Sequence, residues 1–269
     1  MFVDSHCHLD RLHGVEQCAD IEPFLATADE HGVKHLLCVS INLEALPEVL
    51  EIAQRYASVS ASVGVHPNEQ EGKEPTVAQL VELATQDKVV AIGETGLDYF
   101  RSEGDLEWQR QRFRYHIAAA QACQKPLIVH SREAGSDTIR ILREEGADKV
   151  GGVMHCFVDD WQMAEQAMAL NFYISFSGIV TFKSAKQVQE VAALVPADRL
   201  LIETDSPYLA PVPHRSKSNQ PAYVRHVAEC IADLRGESLE QVATYSTENF
   251  FRLFKTAKPV SSAENIVLP

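Results

Sequence analysis

Eight β-rich runs alternate with amphipathic helical stretches along this 269-residue chain, and that alternation limits what it can fold into. The runs are Phe2–His6, His35–Val39, Val59–Val65, Val89–Glu94, Leu127–His130, Val150–His155, Phe172–Phe176 and Leu200–Thr204. Helical periodicity fills the gaps at Ile21–His31, Leu43–Tyr56, Val77–Gln86, Leu106–Cys123, Thr138–Glu145, Trp161–Leu170 and Ala185–Val195. Two further helices, near Ala222–Leu234 and Leu239–Lys255, follow the eighth run. Parallel strands need long crossover connections, and those crossovers are right-handed. Eight strand–helix units therefore predict a closed (β/α)8 TIM barrel spanning residues 1–255 as one domain. A doubly wound open sheet is the alternative; the lack of a GxGxxG after the first strand counts against it. Residues 256–269 show no periodicity and are expected to pack loosely or fray.

Polar residues gather where these strands end. The first strand runs into His6-x-His8, the fourth ends at Glu94, the fifth at His130 and the sixth at His155, and Asp205 follows the eighth. Side chains alternate along an extended segment, so His6 and His8 share a face while Cys7 points away. The carboxyl ends of barrel strands are where barrel enzymes build their sites. A single buried histidine is more often a hydrogen-bonded core residue, but five strand ends carrying ligand-type residues point to a metal centre. Six ligands exceed one tetrahedral ion and suit two divalent cations, of which zinc, manganese and magnesium are candidates, bridged by a carboxylate. Glu94 is the expected bridge. His6, His8 and Asp205 would complete one site, His130 and His155 the other. His66 follows the third strand and is expected to contact substrate or support a ligand. His13, His31, His35, His116 and His226 lie in helical or loop contexts and read as structural or solvated.

Hydrophobic residues make up 45% of the chain and charged residues 23%, which allows a sizeable core. The formal net charge is −14. That sign excludes a broad cationic face for long duplexes, although bound cations can supply local positive charge. The six cysteines form no CxxC pair and suggest buried thiols in a reducing compartment. With no signal-like amino terminus and no apolar stretch of ~18 residues, a cytoplasmic protein without membrane contact is expected.

Longer motifs join these ligands: DSHCHLD at 4–10, GVHP at 64–67, IGETGLDY at 92–99, IVHSRE at 128–133, HCF at 155–157, SFSGIVTFK at 175–183 and ETDSPYLAP at 203–211. Together they resemble the TatD-related metal-dependent deoxyribonucleases, and among them the bacterial YcfH group, over the chain up to about Lys255. GETGLDY and ETDSPYLAP are long and specific, whereas HxH alone is weak. The resemblance implies an amidohydrolase-type barrel with a divalent metal pair and a 3′→5′ exonuclease activity on DNA. Its implied ligands are His6, His8, Glu94, His130, His155 and Asp205. Many binuclear amidohydrolases bridge their metals with a carboxylated lysine; here the fourth strand offers Glu94 and no lysine.

Two cations would acidify a water, hold a phosphoryl oxygen and stabilise the leaving oxygen. Asp205 is the expected general base, with Glu94 beside it in the catalytic centre. Glu203 shares the inward face of Asp205 and is expected to orient a ligand histidine, as Asp4 would for His6 or His8. Arg132, and His214 with Arg215 in the loop after the eighth strand, are candidates for holding the substrate phosphate. Tyr99, Phe100 and Tyr208 offer faces for unpaired bases. The expected substrate is single-stranded DNA or a chain end. No obligate protein partner is indicated, and a monomer is expected. Two other readings use the same residues: a metal-dependent esterase or amidase, acting for instance on aminoacyl-tRNA esters, and a metal-binding scaffold without turnover.

Overall fold

The computed structural model describes residues 1–259. Eight strands lie in chain order in one parallel sheet: β1 Phe2–Cys7, β2 Val33–Cys38, β3 Val59–Val63, β4 Val89–Asp98, β5 Leu127–Arg132, β6 Gly152–Met154, β7 Phe172–Phe176 and β8 Leu200–Ile202. The helices are α1 Glu22–Glu30, α2 Leu46–Arg55, α3 Val77–Leu83, α4 Glu107–Cys123, α5 Gly135–Glu144, α6 Trp161–Ala169, α7 Lys186–Leu194, α8 Val224–Arg235 and α9 Leu239–Leu253. The sequence pattern placed every one of them to within a few residues. Start signals explain several boundaries. Thr76 and Ser238 form capping boxes with Gln79 and Gln241, Asp160 caps α6, and Pro23 and Pro47 sit in the first turns of α1 and α2.

The sheet closes between β8 and β1. The Asp205 amide donates to the His6 carbonyl at 2.9 Å, and the His8 amide to the Ser206 carbonyl at 2.8 Å. A buried side chain reinforces that seam. The Asp4 carboxylate accepts from the Thr204 amide at 2.8 Å and the Thr204 hydroxyl at 2.5 Å. Asp4 also accepts from the His6 amide at 3.4 Å, a backbone contact. Its expected role of orienting a histidine ring is therefore corrected: Asp4 fastens one strand to its last neighbour, because its short side chain reaches the adjacent strand and not the imidazoles above.

β4 departs most from the sequence reading. It continues four residues beyond Glu94 to Asp98. The two glycines of GETG explain how. Gly96 has φ +131°, and a Cβ there would lie 2.0 Å from the His130 carbonyl; Gly93 has φ +146°, with the Ile128 carbonyl 2.6 Å from the same imagined atom. No other residue fits, so β4 presses against β5 and brings Glu94 and His130 side by side.

One end of the barrel is plugged. Val3, Leu37, Val90, Ile128, Val153, Tyr173 and Leu201 form an inner cluster with Phe250 and Leu253 of α9 and with Phe254 just after it. The helices pack a second apolar layer outside. With α9 sealing the amino-terminal end, the carboxyl ends of the strands are left as the open mouth. Of the segment expected to be loose, Thr256–Pro259 is described, with the Ala257 amide bonded to the Phe254 carbonyl at 2.9 Å; residues 260–269 lie outside the described residues. Among the described residues no helix is long and apolar enough to cross a membrane.

Candidate metal centre

Four strand ends and the turn after β8 deliver the six expected ligands to one place. His6 and His8 project together from the end of β1. Val3 faces the inner cluster, yet so does His6 three residues later, because the pairing with β2 shifts between Asp4 and Cys7. Asp205 follows β8 with φ +56°, a left-handed turn that an aspartate tolerates.

Glu94 organises the cluster. Its Oε2 lies 3.4 Å from His6 Nε2 and 3.9 Å from His8 Nε2; its Oε1 lies 2.8 Å from His155 Nε2, 3.2 Å from His130 Nδ1 and 3.3 Å from His66 Nε2. Asp205 Oδ1 joins the first group, 3.4 Å from His8 Nε2 and 3.7 Å from His6 Nε2. The two oxygens of one carboxylate thus divide the donors into two sets.

The outward-facing hydrogen bonds decide which nitrogens carry lone pairs. His8 Nδ1 donates to the Val39 carbonyl at 2.9 Å, His155 Nδ1 to Glu203 Oε1 at 3.3 Å, and His130 Nε2 to Asp98 Oδ2 at 3.1 Å. Each ring therefore leaves its inward nitrogen free to offer a lone pair to a cation, while the two carboxylates it faces favour positive charge at that position. His6 Nε2 and His8 Nε2 stand 3.3 Å apart, as do His130 Nδ1 and His155 Nε2. Acceptors facing acceptors at that range repel unless positive charge lies between them. Imidazole and carboxylate oxygen make a donor set suited to first-row divalent cations; His6, His8 and Asp205 converge closely enough to fit a metal, as do His66, Glu94 and His130, and His6, His155 and Glu203.

Electrostatics agree. Burial alone would push the Glu94 carboxyl up, but His155, His66 and His130 outweigh it and hold it well below the usual carboxylate range. Burial likewise opposes charge on His155, yet Glu94 and Glu203 hold its pKa well above the ordinary value. Anionic oxygens and a demand for positive charge coexist in the same few ångströms.

His66 differs from the other histidines of the cluster in that its inward-facing ring nitrogen is a donor. Its Nδ1 accepts from the Asn68 amide at 3.0 Å, so Nε2 carries the proton and faces Glu94 as a donor. Glu203 is buried, accepts from His155 Nδ1 at 3.3 Å, and accepts from the Cys156 amide at 2.8 Å.

Above the cluster opens a cavity of about 790 Å3. Arg132 lines it, with its guanidinium 3.9 Å over the Phe100 ring, and half-exposed Tyr208 lines the other side. His214 and Arg215 do not line it, and their expected role is corrected. His214 stacks on Tyr223 at 4.0 Å, and Arg215 covers Phe182 at 3.6 Å. The loop carrying them turns back over α8 and the segment after β7, where aromatic faces occupy both side chains. Tyr99 is turned away as well, donating to Asp137 at 2.7 Å.

Three contributors escaped the sequence reading: Asp98, Asn68 and Arg101. Asp98 accepts at Oδ2 from His130 and from Asn68 at 2.7 Å, and at Oδ1 from the amides of Phe100 and Arg101. Parity could have found it, since Glu94, Gly96 and Asp98 share one face of a strand read as ending too early. Nothing local distinguishes Asn68 or Arg101, which line the cavity from loops.

Comparison with known proteins bears on this centre. The family model for TatD related DNase matches residues 3–255. The uncharacterized metal-dependent hydrolase YcfH of Escherichia coli K12 is 48% identical over 253 residues, covering 94% of this chain and 95% of the relative. The 3′-5′ ssDNA/RNA exonuclease TatD of Shigella flexneri is 34% identical over 245 residues, covering 88% of this chain and 94% of the relative. The crystal structure of YjjV, a TatD homologue from Escherichia coli K12, superposes with a TM-score of 0.88 at 28% identity, covering 94% of this chain and 98% of that one.

Proposed function

This chain belongs to the TatD-related DNase family of metal-dependent hydrolases, and on that premise we propose that it is a two-metal phosphodiesterase that trims single-stranded DNA from the 3′ end. The observation that carries the reading is the division of donors by Glu94: Oε2 toward His6 and His8, Oε1 toward His130 and His155. His6, His8, Asp205 and Glu94 would hold one cation; Glu94, His130 and His155 would hold the other. When bound, the cations supply positive charge that acidifies water and neutralises the phosphodiester.

The remaining work falls to this chain's own side chains. Asp205 stands at the open edge of the cluster and takes a proton from the attacking water at its carboxylate. The His66 Nε2–H is aimed into the centre and donates to a phosphoryl oxygen. Arg132, pinned flat by Phe100, offers its guanidinium edge to the next phosphate. Tyr208 offers a face for an unpaired base. Glu203 and Asp98 keep His155 and His130 in the tautomers described. The six cysteines are all free thiols, which supports a reducing cytoplasmic setting.

The test is an assay of purified protein loaded with zinc, manganese or magnesium. Substrates are 3′- and 5′-labelled single strands, duplex DNA, RNA, an aminoacyl ester and a cyclic amide. Stepwise release of the 3′ label is expected, abolished by chelation and by Asp205→Asn. Ester or amide turnover without nucleotide release at any metal loading would replace this reading with an esterase or amidase.

A further inference from the structure

The amino-terminal end of the barrel carries a second concavity. It lies where α9 ends and where β4, β5, β6, β7 and β8 begin, so the whole barrel separates it from the metal centre. Its volume is about 490 Å3. Four cationic side chains line it: Lys125, Arg199, Arg252 and Lys255. One acid, Asp198, lines it with them.

That balance is unusual in a chain of net charge −14. Most arginines here are consumed by carboxylates, as in Arg55–Glu22, Arg112–Glu74, Arg114–Glu144, Arg140–Glu144 and Arg235–Glu237. Arg199 and Arg252 are not: among the described residues neither has a carboxylate oxygen within 4 Å. Both are instead held by neutral groups. Arg199 donates to Asn171 Oδ1 at 3.3 Å and lies over the Tyr173 ring, and Arg252 donates to Asn249 Oδ1 at 2.6 Å. Lys125 is fixed by the carbonyls of Ala84 and Val89, which leaves one of its three N–H donors for another acceptor. The other arginines without a carboxylate include Arg101 and Arg132, and those two line the metal-centre cavity. Among the described residues Arg143 and Arg215 also lack a carboxylate and line neither cavity, so four of the six such arginines stand at two concavities, and only the first has been given a ligand.

We propose that this basal crevice is a second binding site, for a phosphate monoester of nucleotide size. A single carboxylate would leave most of the positive charge unmatched, whereas a phosphate monoester brings close to two negative charges and three acceptor oxygens. Guanidinium forks match phosphate geometry in a way that ammonium groups alone do not. The amides of Gln124 and Asn171 and the Thr256 hydroxyl add neutral donors, and Val90, Val150 and Leu253 give an apolar wall for a base or sugar. The proposal is independent of the nuclease reading.

Binding of dAMP to the full-length, metal-loaded protein tests it by calorimetry with hydrogen exchange. Two dAMP per chain are expected, with exchange protection at residues 124–126, 198–199 and 252–256 for the basal site. Arg132→Glu removes binding at the mouth and leaves that protection in place. Arg252→Glu with Lys255→Glu, both on the surface, should abolish the protection, weaken the basal site at least tenfold and leave single-strand hydrolysis unchanged. Arg199→Ala gives a second, independent weakening. A single dAMP per chain located at the mouth would overturn the proposal, as would protection that survives charge reversal. Inorganic phosphate binding as tightly as dAMP would overturn the nucleotide assignment. Basal binding that appears only after removal of residues 260–269 would assign the crevice to the chain itself and also overturn it.

Discussion

The tautomer of each imidazole is set by the acceptor behind it, and this is where single residues matter most. Asp98 is the clearest case. Replacing it with asparagine retains one oxygen for the Phe100 and Arg101 amides but turns an NH2 group against the His130 Nε2–H. Two donors then face each other, and His130 must flip or lose its orientation. Asp98→Asn is expected to weaken metal affinity by about 10- to 100-fold with little change in melting temperature, measured by competition with a chelator. Unchanged metal affinity would show that His130 is oriented by packing alone. Away from the centre, His116 Nδ1 donates to the Arg112 carbonyl and Nε2 accepts from the Val65 amide at 3.0 Å, so the fold requires its neutral form. Burial pushes its pKa down to about 4. An unfolded histidine protonates near 6.5, so the contribution of His116 is complete above that pH and is lost as the pH falls from about 6.5 toward 4. The loss amounts to roughly 3 kcal/mol. His116→Gln keeps the acceptor and abolishes the titration. The gap in unfolding free energy between wild type and this variant should narrow steadily from pH 7 to pH 5; a constant gap would refute the assignment.

At the scale of elements, the informative places are those where a strand breaks its own period. β1 shifts register before His6, and β4 passes two glycines before Asp98. Without these irregularities, strict alternation would send Val3 and His6 to opposite faces and separate Glu94 from His130. The β1–β8 seam is the other such place, since β8 is three residues long and the turn after it carries Asp205. Asp4 holds that turn through Thr204. Asp4→Ala leaves a buried amide and hydroxyl without acceptors, which costs about 1–3 kcal/mol. Because the same seam carries His6, His8 and Asp205, metal content should fall together with the denaturant midpoint. Loss of activity at unchanged stability would mean that Asp4 acts on the histidines after all.

The molecule as a whole separates stability from chemistry. The plug formed by α9 lies at one pole and the metal centre at the other. Phe250 is fully buried in the plug. Phe250→Ala is expected to cost about 3–5 kcal/mol while leaving kcat, measured well below the melting temperature, within about twofold of wild type. On the proposed function, the acidic body also sets how nucleic acid would be held. Only a few cations, Arg101 and Arg132 foremost, line the mouth where its phosphates would enter. The affinity for single strands should therefore fall with a log–log salt slope of about −2, far shallower than for a protein that coats its substrate in basic surface. A much steeper slope would reveal a cationic track elsewhere. The sequence by itself determined the barrel, the order of its elements and the six residues gathered at its mouth. Those follow from local periodicity and from ligand-type residues at strand ends, both of which are written in consecutive positions. It did not determine that Asp4 clasps the seam, that β4 runs on to Asp98, that His66 presents a proton where its neighbours present lone pairs, or that His214 and Arg215 turn away. Each of these depends on which distant backbone group or ring happens to lie alongside, and only closing the sheet into a barrel decides that.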